Sequence, residues 1–246
     1  MSDGSGDLLV VHTSDLHIDG RFADEFHPLC RVLETAKTLE ADLILLAGDI
    51  FDHNRVPLAQ IDAVARMLGD AAAQIVVLPG NHDPITADSV YRRGGLADVP
   101  NVHVLGVSSE ERFVWRERDL EVWGRAHFDY ENMSPLRDPP PLVAGRRIAV
   151  AHGHWLKTEE DAHRGWLITD EEIASAGAAY VALGHWPRAG PAGDGRVPAY
   201  YCGSPDLAAT VNAVRLRADG GVEVERVPLK GHSGSLIDRV TRARLT

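Results

Sequence analysis

Five short apolar runs without polar alternation are spaced along the chain, and polar residues follow each of them directly. An unbroken run of this kind is typical of a strand that is buried on both faces of a parallel sheet. Between the first three runs, Phe26 to Glu40 and Leu58 to Ala73 have the apolar spacing of helices. This order predicts two βαβ units and hence a parallel sheet. The runs are Leu8 to Val11, Leu43 to Ala47, Ile75 to Leu78, Ile148 to Ala151 and Tyr180 to Leu183.

Other segments have the pattern of antiparallel strands. From Val102 to Trp123, short alternating stretches of apolar and polar residues predict such strands. Near the end of the chain, apolar residues in 214–216 and 222–224 flank Asp219-Gly220, a dipeptide typical of β-hairpins. We therefore predict an α/β fold, a four-layer α/β/β/α sandwich in which two mixed sheets pack face to face with helices outside.

The bulk composition is that of one sizeable domain. With 246 residues, 44% of them hydrophobic, we expect a single domain over 1–246, with its core from about 8 to 228 and a short tail from 229 to 246. No stretch is long enough to span a membrane and no basic segment precedes the first apolar run, so we expect a cytoplasmic protein without a membrane partner. Cys30 and Cys202 are too few for a disulfide framework, and both are expected to be ordinary buried thiols.

The formal net charge of −11 bears on the class of substrate. Binding to long nucleic acid depends on Lys and Arg side chains that neutralise phosphates, and an acidic chain offers few of them. Bound divalent cations would offset part of the negative charge. The charge therefore favours a small or locally held substrate and leaves nucleic acid as an alternative.

The polar residues behind the five runs are of metal-binding types. In open α/β sheets, ligands bind at the carboxyl ends of the strands, so five distant segments can meet in one pocket. Together the five segments predict a two-metal phosphoesterase site. They are Asp15-Leu16-His17, Gly48-Asp49 with Asp52, Gly80-Asn81-His82-Asp83, His152-Gly153-His154 and Gly184-His185.

Each residue type suits a particular task at such a site. Asp15 and His17 are two residues apart, so on extended backbone both side chains project to the same side and can bind one ion. Asp49 has two carboxylate oxygens that can bridge two cations. The ligands expected to complete the second metal site are Asn81, His152 and His185.

A further histidine is expected to act on the substrate. His82 follows Asn81 directly and would point differently, as the acid that protonates the leaving oxygen or as a stabiliser of the phosphate charge. Asp52 is placed to hold one nitrogen of His82 and to orient its imidazole. The expected nucleophile is a water molecule activated by the metals.

This order of motifs resembles that of the calcineurin-like metallophosphoesterase superfamily, from Leu8 to about Pro228. Within it, Gly48 to Asp52 and Gly203-Ser204-Pro205 are similar to the branch that contains the SbcD-type DNA repair nucleases. The resemblance implies a dinuclear metal site. It assigns the first ion to Asp15, His17 and Asp49, and the second ion to Asp49, Asn81, His152 and His185.

The chain departs from the family pattern at one ligand position. The family's last motif is usually Gly-His-x-His, but here Pro187 occupies the place of the second histidine. The first ion would then keep three protein ligands against four for the second, unless water, His53, His154 or a remote residue fills the gap. We expect two divalent ions, with Mn as the first choice and Fe, Zn or Mg as alternatives, and a weaker first site.

Several neighbouring side chains have two interpretations. Trp155 and Trp186 follow metal-binding histidines, where an indole can stack on a substrate base, although packing of the site wall is the favoured interpretation. Arg55 and Arg188 either clamp a phosphate or are surface charges.

The leading functional hypothesis is a metal-dependent phosphodiesterase that hydrolyses a small or short phosphodiester. The alternative is a nuclease acting on DNA ends. SbcD-type nucleases carry a further DNA-holding domain and a helical segment for an ATPase partner, whereas only a short stretch follows Pro228 here, which favours the small substrate. A third hypothesis, motivated by Pro187, is a metal-binding scaffold without catalysis. The sequence leaves the oligomeric state open.

Overall fold

The computed structural model of the chain describes residues 6–20 and 27–230. The regular structure of these residues consists of fourteen strands, five α-helices and three short 3-10 helices. The strands are β1 (Leu8–Thr13), β2 (Leu43–Ala47), β3 (Gln74–Leu78), β4 (Val102–Val104), β5 (Arg112–Trp115), β6 (Leu120–Trp123), β7 (Arg146–His152), β8 (His154–Trp155), β9 (Leu167–Ile168), β10 (Tyr180–Gly184), β11 (Gly190–Ala192), β12 (Ala199–Tyr201), β13 (Thr210–Leu216) and β14 (Val222–Pro228). The helices are α1 (His27–Thr38), α2 (Leu58–Gly69), α3 (Val90–Arg93), α4 (Asp170–Ser175) and α5 (Pro205–Ala208).

Two six-stranded mixed sheets form the centre of the molecule, as predicted. The first has the order β14-β13-β1-β2-β3-β4, in which β1 to β4 are parallel and β13 is antiparallel to both of its neighbours, β1 and β14. The second has the order β11-β12-β10-β7-β6-β5, with antiparallel strands at both edges. Strands β8 and β9 form a separate parallel pair.

Three hydrophobic clusters separate the layers. The first lies between the first sheet and helices α1 and α2, which contribute Val32 and Val64. The second lies between the two sheets, where Leu45 of one sheet and Val150 of the other are fully buried. The third covers the outer face of the second sheet, and the helix packed there is the short α4, through Ile173. Full burial of one such aliphatic side chain contributes about 1.5–3 kcal/mol, so alternate residues of a central strand stabilise two layers at once.

The predicted helices are present with shorter bounds. Helix α1 ends two residues before the predicted Glu40, and Phe26 lies outside the described residues. Helix α2 ends at Gly69 rather than Ala73. The Asn101 side chain explains the earlier end, because its amide donates to the carbonyl oxygens of Leu68, Ala71 and Ala73 and holds an irregular connection to β3.

Two expectations about the remaining chain need correction. Within 102–123, β5 and β6 are antiparallel as predicted, but β4 runs parallel to β3, because α3 and its neighbouring turn form a crossover between them. Cys202 is buried, whereas Cys30 is exposed on the solvent side of α1.

The predicted hairpin is confirmed, with Val214 opposite Val224 and Gly220 at a φ of 89°. Residues 231–246 of the predicted tail lie outside the described part.

Helices α1 and α2, of 12 residues each, are the longest of the described helices. Within the described ranges, no helix has both the length and the apolar character that a membrane span requires.

Candidate active site

The loops that follow β1 and β2 run side by side beyond the strand ends. The backbone N–H of Asp15 donates to Gly48 O at 3.0 Å, and that of His17 donates to Asp49 O at 3.1 Å. The expectation of extended backbone here is wrong, because Asp15 and His17 have φ angles of 55° and 48°. Asp and His are among the residue types that adopt this left-handed conformation more readily. The two side chains still meet, with His17 Nε2 3.9 Å from Asp15 Oδ1.

The buried carboxylate of Asp49 lies at the centre of the site. Its Oδ1 accepts a hydrogen bond from the backbone N–H of His82 at 2.9 Å. Its Oδ2 lies 3.0 Å from His152 Nε2 and 4.0 Å from His17 Nε2. We expected both oxygens of Asp49 to face candidate ligands, but only Oδ2 lies near the two histidines, His152 and His17.

Asn81 gathers the other two histidines. Its Oδ1 is 3.0 Å from His152 Nε2 and 3.1 Å from His185 Nδ1. The other ring nitrogen of His152, Nδ1, donates to Ala47 O at 2.8 Å. Because a carbonyl oxygen only accepts, this contact places a proton on Nδ1 and leaves Nε2 with a lone pair when the ring is neutral, the arrangement that metal-binding histidines adopt.

Asp52 contacts two histidines. Its Oδ1 is 3.0 Å from His17 Nδ1 and 3.4 Å from His82 Nδ1, and His82 Nδ1 also donates to the Asp52 carbonyl oxygen at 3.0 Å. The predicted contact with His82 is therefore made mainly through the backbone, while the carboxylate holds His17. The His17 and His82 rings meet edge to face, with centroids 4.7 Å apart. The His82 side chain is 44% exposed and remains open to a substrate.

Two glycines allow the segments to approach this closely. Gly48 has a φ of +90°, and a Cβ at that position would lie 2.0 Å from His152 Nδ1. A Cβ at Gly184 would lie 1.8 Å from Ala47 O. Any larger residue at either position would displace the histidine or the strand end that carries it.

Burial and mutual charge set the protonation of the site. Burial opposes both charged forms of the Asp49–His152 pair, but their attraction prevails: the pKa of Asp49 falls, and the Asp49 carboxylate raises the pKa of His152 to about 9. Burial, with the nearby His152 charge, lowers the pKa of His185 to about 3. Burial raises the pKa of Asp15, against the attraction of His152. The buried cluster thus favours a positive charge beside Asp49 and keeps His185 neutral.

A fourth aspartate, to which the sequence reasoning gave no role, joins the loops. Asp83 is fully buried and accepts hydrogen bonds from Gly80 N at 2.7 Å, Phe51 N at 3.0 Å and Tyr91 Oη at 2.6 Å. Burial and the Asp49 charge raise its pKa to about 6. Its place at the end of Gly80-Asn81-His82-Asp83 was the signal for such a role.

Two other supporting residues were also missed. The Ser14 hydroxyl donates to Asp15 Oδ2, and buried His127 donates from Nε2 to His152 O at 2.8 Å. Ser14 directly precedes Asp15, whereas no sequence motif surrounds His127. Burial lowers the pKa of His127 to about 4, so this ring is neutral and supports His152 from behind.

Pro187 leaves one ligand position of the first ion unfilled, and among the described residues neither His53 nor His154 replaces the missing histidine. Two groups of acidic and imidazole side chains have ligand atoms within 4.8 Å of one another: Asp15 with His17 and Asp49, and His17 with Asp52 and His82. His53 and His154 belong to neither group. His53 Nδ1 accepts from Arg55 N instead, and His154 Nε2 contacts Asp161 Oδ1 at 3.2 Å.

All eight residues predicted from the sequence thus meet at one edge of the two sheets. Carboxylate, amide and imidazole donors suit divalent cations of the first transition series. Asp52 holds the Nδ1 atom of His17, and the carbonyl oxygen of Ala47 holds the Nδ1 atom of His152. The Nε2 atoms of both rings are therefore left for a metal. The residues present therefore fit bound divalent metal ions.

Comparison with known families agrees with this chemistry. A sequence model of the calcineurin-like phosphoesterases matches residues 8–218. The chain belongs to the calcineurin-like phosphoesterase family, a metal-dependent family of phosphoric ester hydrolases.

Several curated proteins of known name are similar to the chain in sequence. The SbcD component of nuclease SbcCD from Escherichia coli (strain K12) is 35% identical, with 80% of this chain and 60% of the relative covered. The same component from Bacillus subtilis is 28% identical, over 80% of this chain and 61% of the relative. The DNA double-strand break repair protein Mre11 from Sulfurisphaera tokodaii is 25% identical, over 93% and 59%. The chain thus spans about three fifths of the length of these relatives.

Solved structures support the fold. The protein TT1561 of Thermus thermophilus superimposes with a TM-score of 0.60 at 13% sequence identity, covering 89% of this chain and 98% of that one. At this identity the similarity concerns the fold alone.

Proposed function

We propose that the chain is a two-metal phosphodiesterase that hydrolyses a small or short phosphodiester. One observation carries the proposal: Asp49 Oδ2 lies near the Nε2 atoms of both His17 and His152, and the sequence assigns these two histidines to different metal ions. A carboxylate shared in this way is what joins two metal sites into one centre.

The residues divide between the two ions as follows. Asp15, His17 and Asp49 would hold the first ion, and Asp49, Asn81, His152 and His185 the second. Bound there, the ions would supply water activation and neutralisation of the phosphate charge. Manganese suits the mixed oxygen and nitrogen donors, and Fe, Zn or Mg are the alternatives.

His82 would provide the acid. Its Nδ1 is fixed on the Asp52 carbonyl at 3.0 Å, so that Nε2 is the atom left to deliver a proton to the leaving oxygen. The Asp52 carboxylate, 3.4 Å from the same nitrogen, helps to hold the ring in this orientation. Asp52 acts through His82 and His17 and is a positioning residue.

The alternatives are a DNA nuclease and a scaffold without catalysis. A nuclease acting on DNA ends is favoured by the similarity to the SbcD component of nuclease SbcCD and to Mre11. The net charge of −11 favours a small substrate instead. A scaffold without catalysis, suggested by Pro187, is disfavoured because the other ligands and His82 lie together.

The substrate class can be tested with salt. With manganese, we expect the chain to hydrolyse an aryl phosphodiester at a rate that changes less than about twofold between about 50 and 200 mM salt, because few counterions are released. Long duplex DNA should be degraded weakly. Steady-state rates on both substrates, with a chelator-treated sample as control, make the comparison. Efficient digestion of duplex ends that falls steeply with salt would establish the nuclease instead, and inactivity on every ester with metal bound would support the scaffold.

Pro187 leads to a prediction about metal occupancy. The second ion should bind more tightly than the first, and Pro187→His should raise the affinity of the weaker site by about tenfold or more, since even the loss of a residue that only supports a ligand costs about 10–100-fold. Manganese titration by calorimetry measures both sites. Pro141→His, in an exposed loop, is the matched control. Two equally tight sites in the unaltered chain, unchanged by Pro187→His, would show that another group already completes the first site.

A further inference from the structure

A cavity of about 380 Å³ opens beside the residues proposed to hold the second ion, close to His185. We call it the tryptophan pocket. Its aromatic walls are Trp155, Trp186 and Tyr201, and the exposed side chains of Lys157 and Arg188 also line it. Both indoles are half-buried and so retain surface for a ligand.

The walls of the tryptophan pocket are held by hydrogen bonds. Trp155 Nε1 donates to Asp170 at 2.7 Å, and the backbone N–H of Trp155 donates to Tyr201 Oη, also at 2.7 Å. The Tyr201 hydroxyl in turn donates to Gly153 O at 2.8 Å. These contacts fix one indole and the phenol in place, so a ligand would meet a preformed surface.

The pocket lies one side chain away from the candidate metal ligands. The imidazole of His154, which lines the pocket, has its ring centroid 5.3 Å from that of Trp186 and 6.3 Å from that of His185. Trp186 itself follows His185 directly in the chain. A phosphodiester whose phosphate lies at the candidate metal ligands would therefore direct one of its two ester substituents toward the tryptophan pocket.

The charges of the pocket differ from those of the chain as a whole. Lys157 and Arg188 are cationic, and Lys157 Nζ lies 5.8 Å from the centroid of the Trp155 ring. The carboxylate among the described lining residues, Asp161, is engaged by His154 at 3.2 Å and by Thr158 N at 3.0 Å. An aromatic, cationic pocket on a chain of net charge −11 suits a planar ring that carries an anionic group.

We propose that the tryptophan pocket binds the nucleobase of a nucleotide-type phosphodiester whose phosphate lies at the metal-ligand groups. This inference rests on the proposed phosphodiesterase function and names its substrate class. The base stacks on the indoles, and the side-chain charges of Lys157 and Arg188 attract the sugar-phosphate. The chemistry of the ester bond is unchanged, because the pocket contributes only binding.

Two substrates with the same leaving group provide the test. The 4-nitrophenyl ester of thymidine 5′-phosphate carries a base, and methyl 4-nitrophenyl phosphate does not. The quantity measured is the ratio of their kcat/KM values with manganese, which cancels any change common to both. Stacking of one base contributes about 1–3 kcal/mol, so Trp186→Ala should lower the ratio by about 5- to 150-fold. Trp186→Phe, which keeps an aromatic ring, should restore most of it.

A distant tryptophan serves as the matched control. Trp115 lies on the edge strand β5 of the second sheet, and Trp115→Ala should leave the ratio unchanged. An equal ratio in the unaltered chain and in Trp186→Ala would overturn the proposal, as would an equal fall in Trp115→Ala.

A binding measurement separates this proposal from the proposed function and needs no variant. With manganese bound, thymidine 5′-monophosphate should bind at least about fivefold more tightly than ribose 5-phosphate, which lacks the base. If neither ester is hydrolysed but this preference is present, the phosphodiesterase function fails and the pocket stands. If the esters are hydrolysed and the preference is absent, the pocket assignment fails and the function stands.

Discussion

Asp49→Asn is expected to abolish turnover and to remove both metal ions. The substitution keeps the shape of the side chain but removes the negative charge from the oxygen that lies 3.0 Å from His152 and 4.0 Å from His17. Both proposed ions lose a charged ligand at once, so the loss of rate should exceed the about 10²–10⁴-fold that removal of one general acid causes. The measurements are kcat/KM on an aryl phosphodiester and metal content by mass spectrometry after desalting.

The matched control for Asp49→Asn is Asp98→Asn. Asp98 is exposed at the end of the short 3-10 helix Gly95–Asp98, which contains none of the candidate site residues, and its substitution should alter neither rate nor metal content. The unfolding temperature of each variant shows whether the fold persists. An Asp49→Asn protein that retains two ions at wild-type affinity would refute the shared-carboxylate assignment.

His82→Ala is expected to slow turnover by about 10²–10⁴-fold while metal content stays intact. The ring is open to solvent, and its Nδ1 is held by Asp52 rather than turned toward Asp49. A role as acid gives a distinctive signature: the loss should be large for an alkyl leaving group and small for 4-nitrophenolate, which leaves without a proton.

The control for His82→Ala is His163→Ala, an exposed histidine outside the site. His82 also belongs to a group with His17 and Asp52 whose ligand atoms lie within 4.8 Å. Loss of a metal ion from His82→Ala would therefore reassign this residue from acid to ligand. Equal losses with both leaving groups would favour a role in stabilising the phosphate charge.

Much of the fold was predictable because its signals are local. The five unbroken apolar runs predicted the central parallel strands, and Asp219-Gly220 predicted the hairpin, since chain direction and turn geometry depend on neighbouring residues. The parallel course of β4 was not predictable in this way, because three residues carry little pattern and a crossover decides their direction. The exposure of Cys30 depends on the face that α1 presents to the sheet.

The sequence by itself determined which of the predicted residues come together, because each lies at or just beyond the end of a buried strand and the strand ends converge. Tertiary structure alone decided which atoms meet. The Nδ1 of His152 is directed by Ala47, 105 residues earlier, and a single oxygen of Asp49 faces two histidines because His82 N–H engages the other. Burial then sets their protonation. Contacts between segments so distant in the chain leave no local pattern, which is why sequence motifs specify the composition of this site but not its geometry.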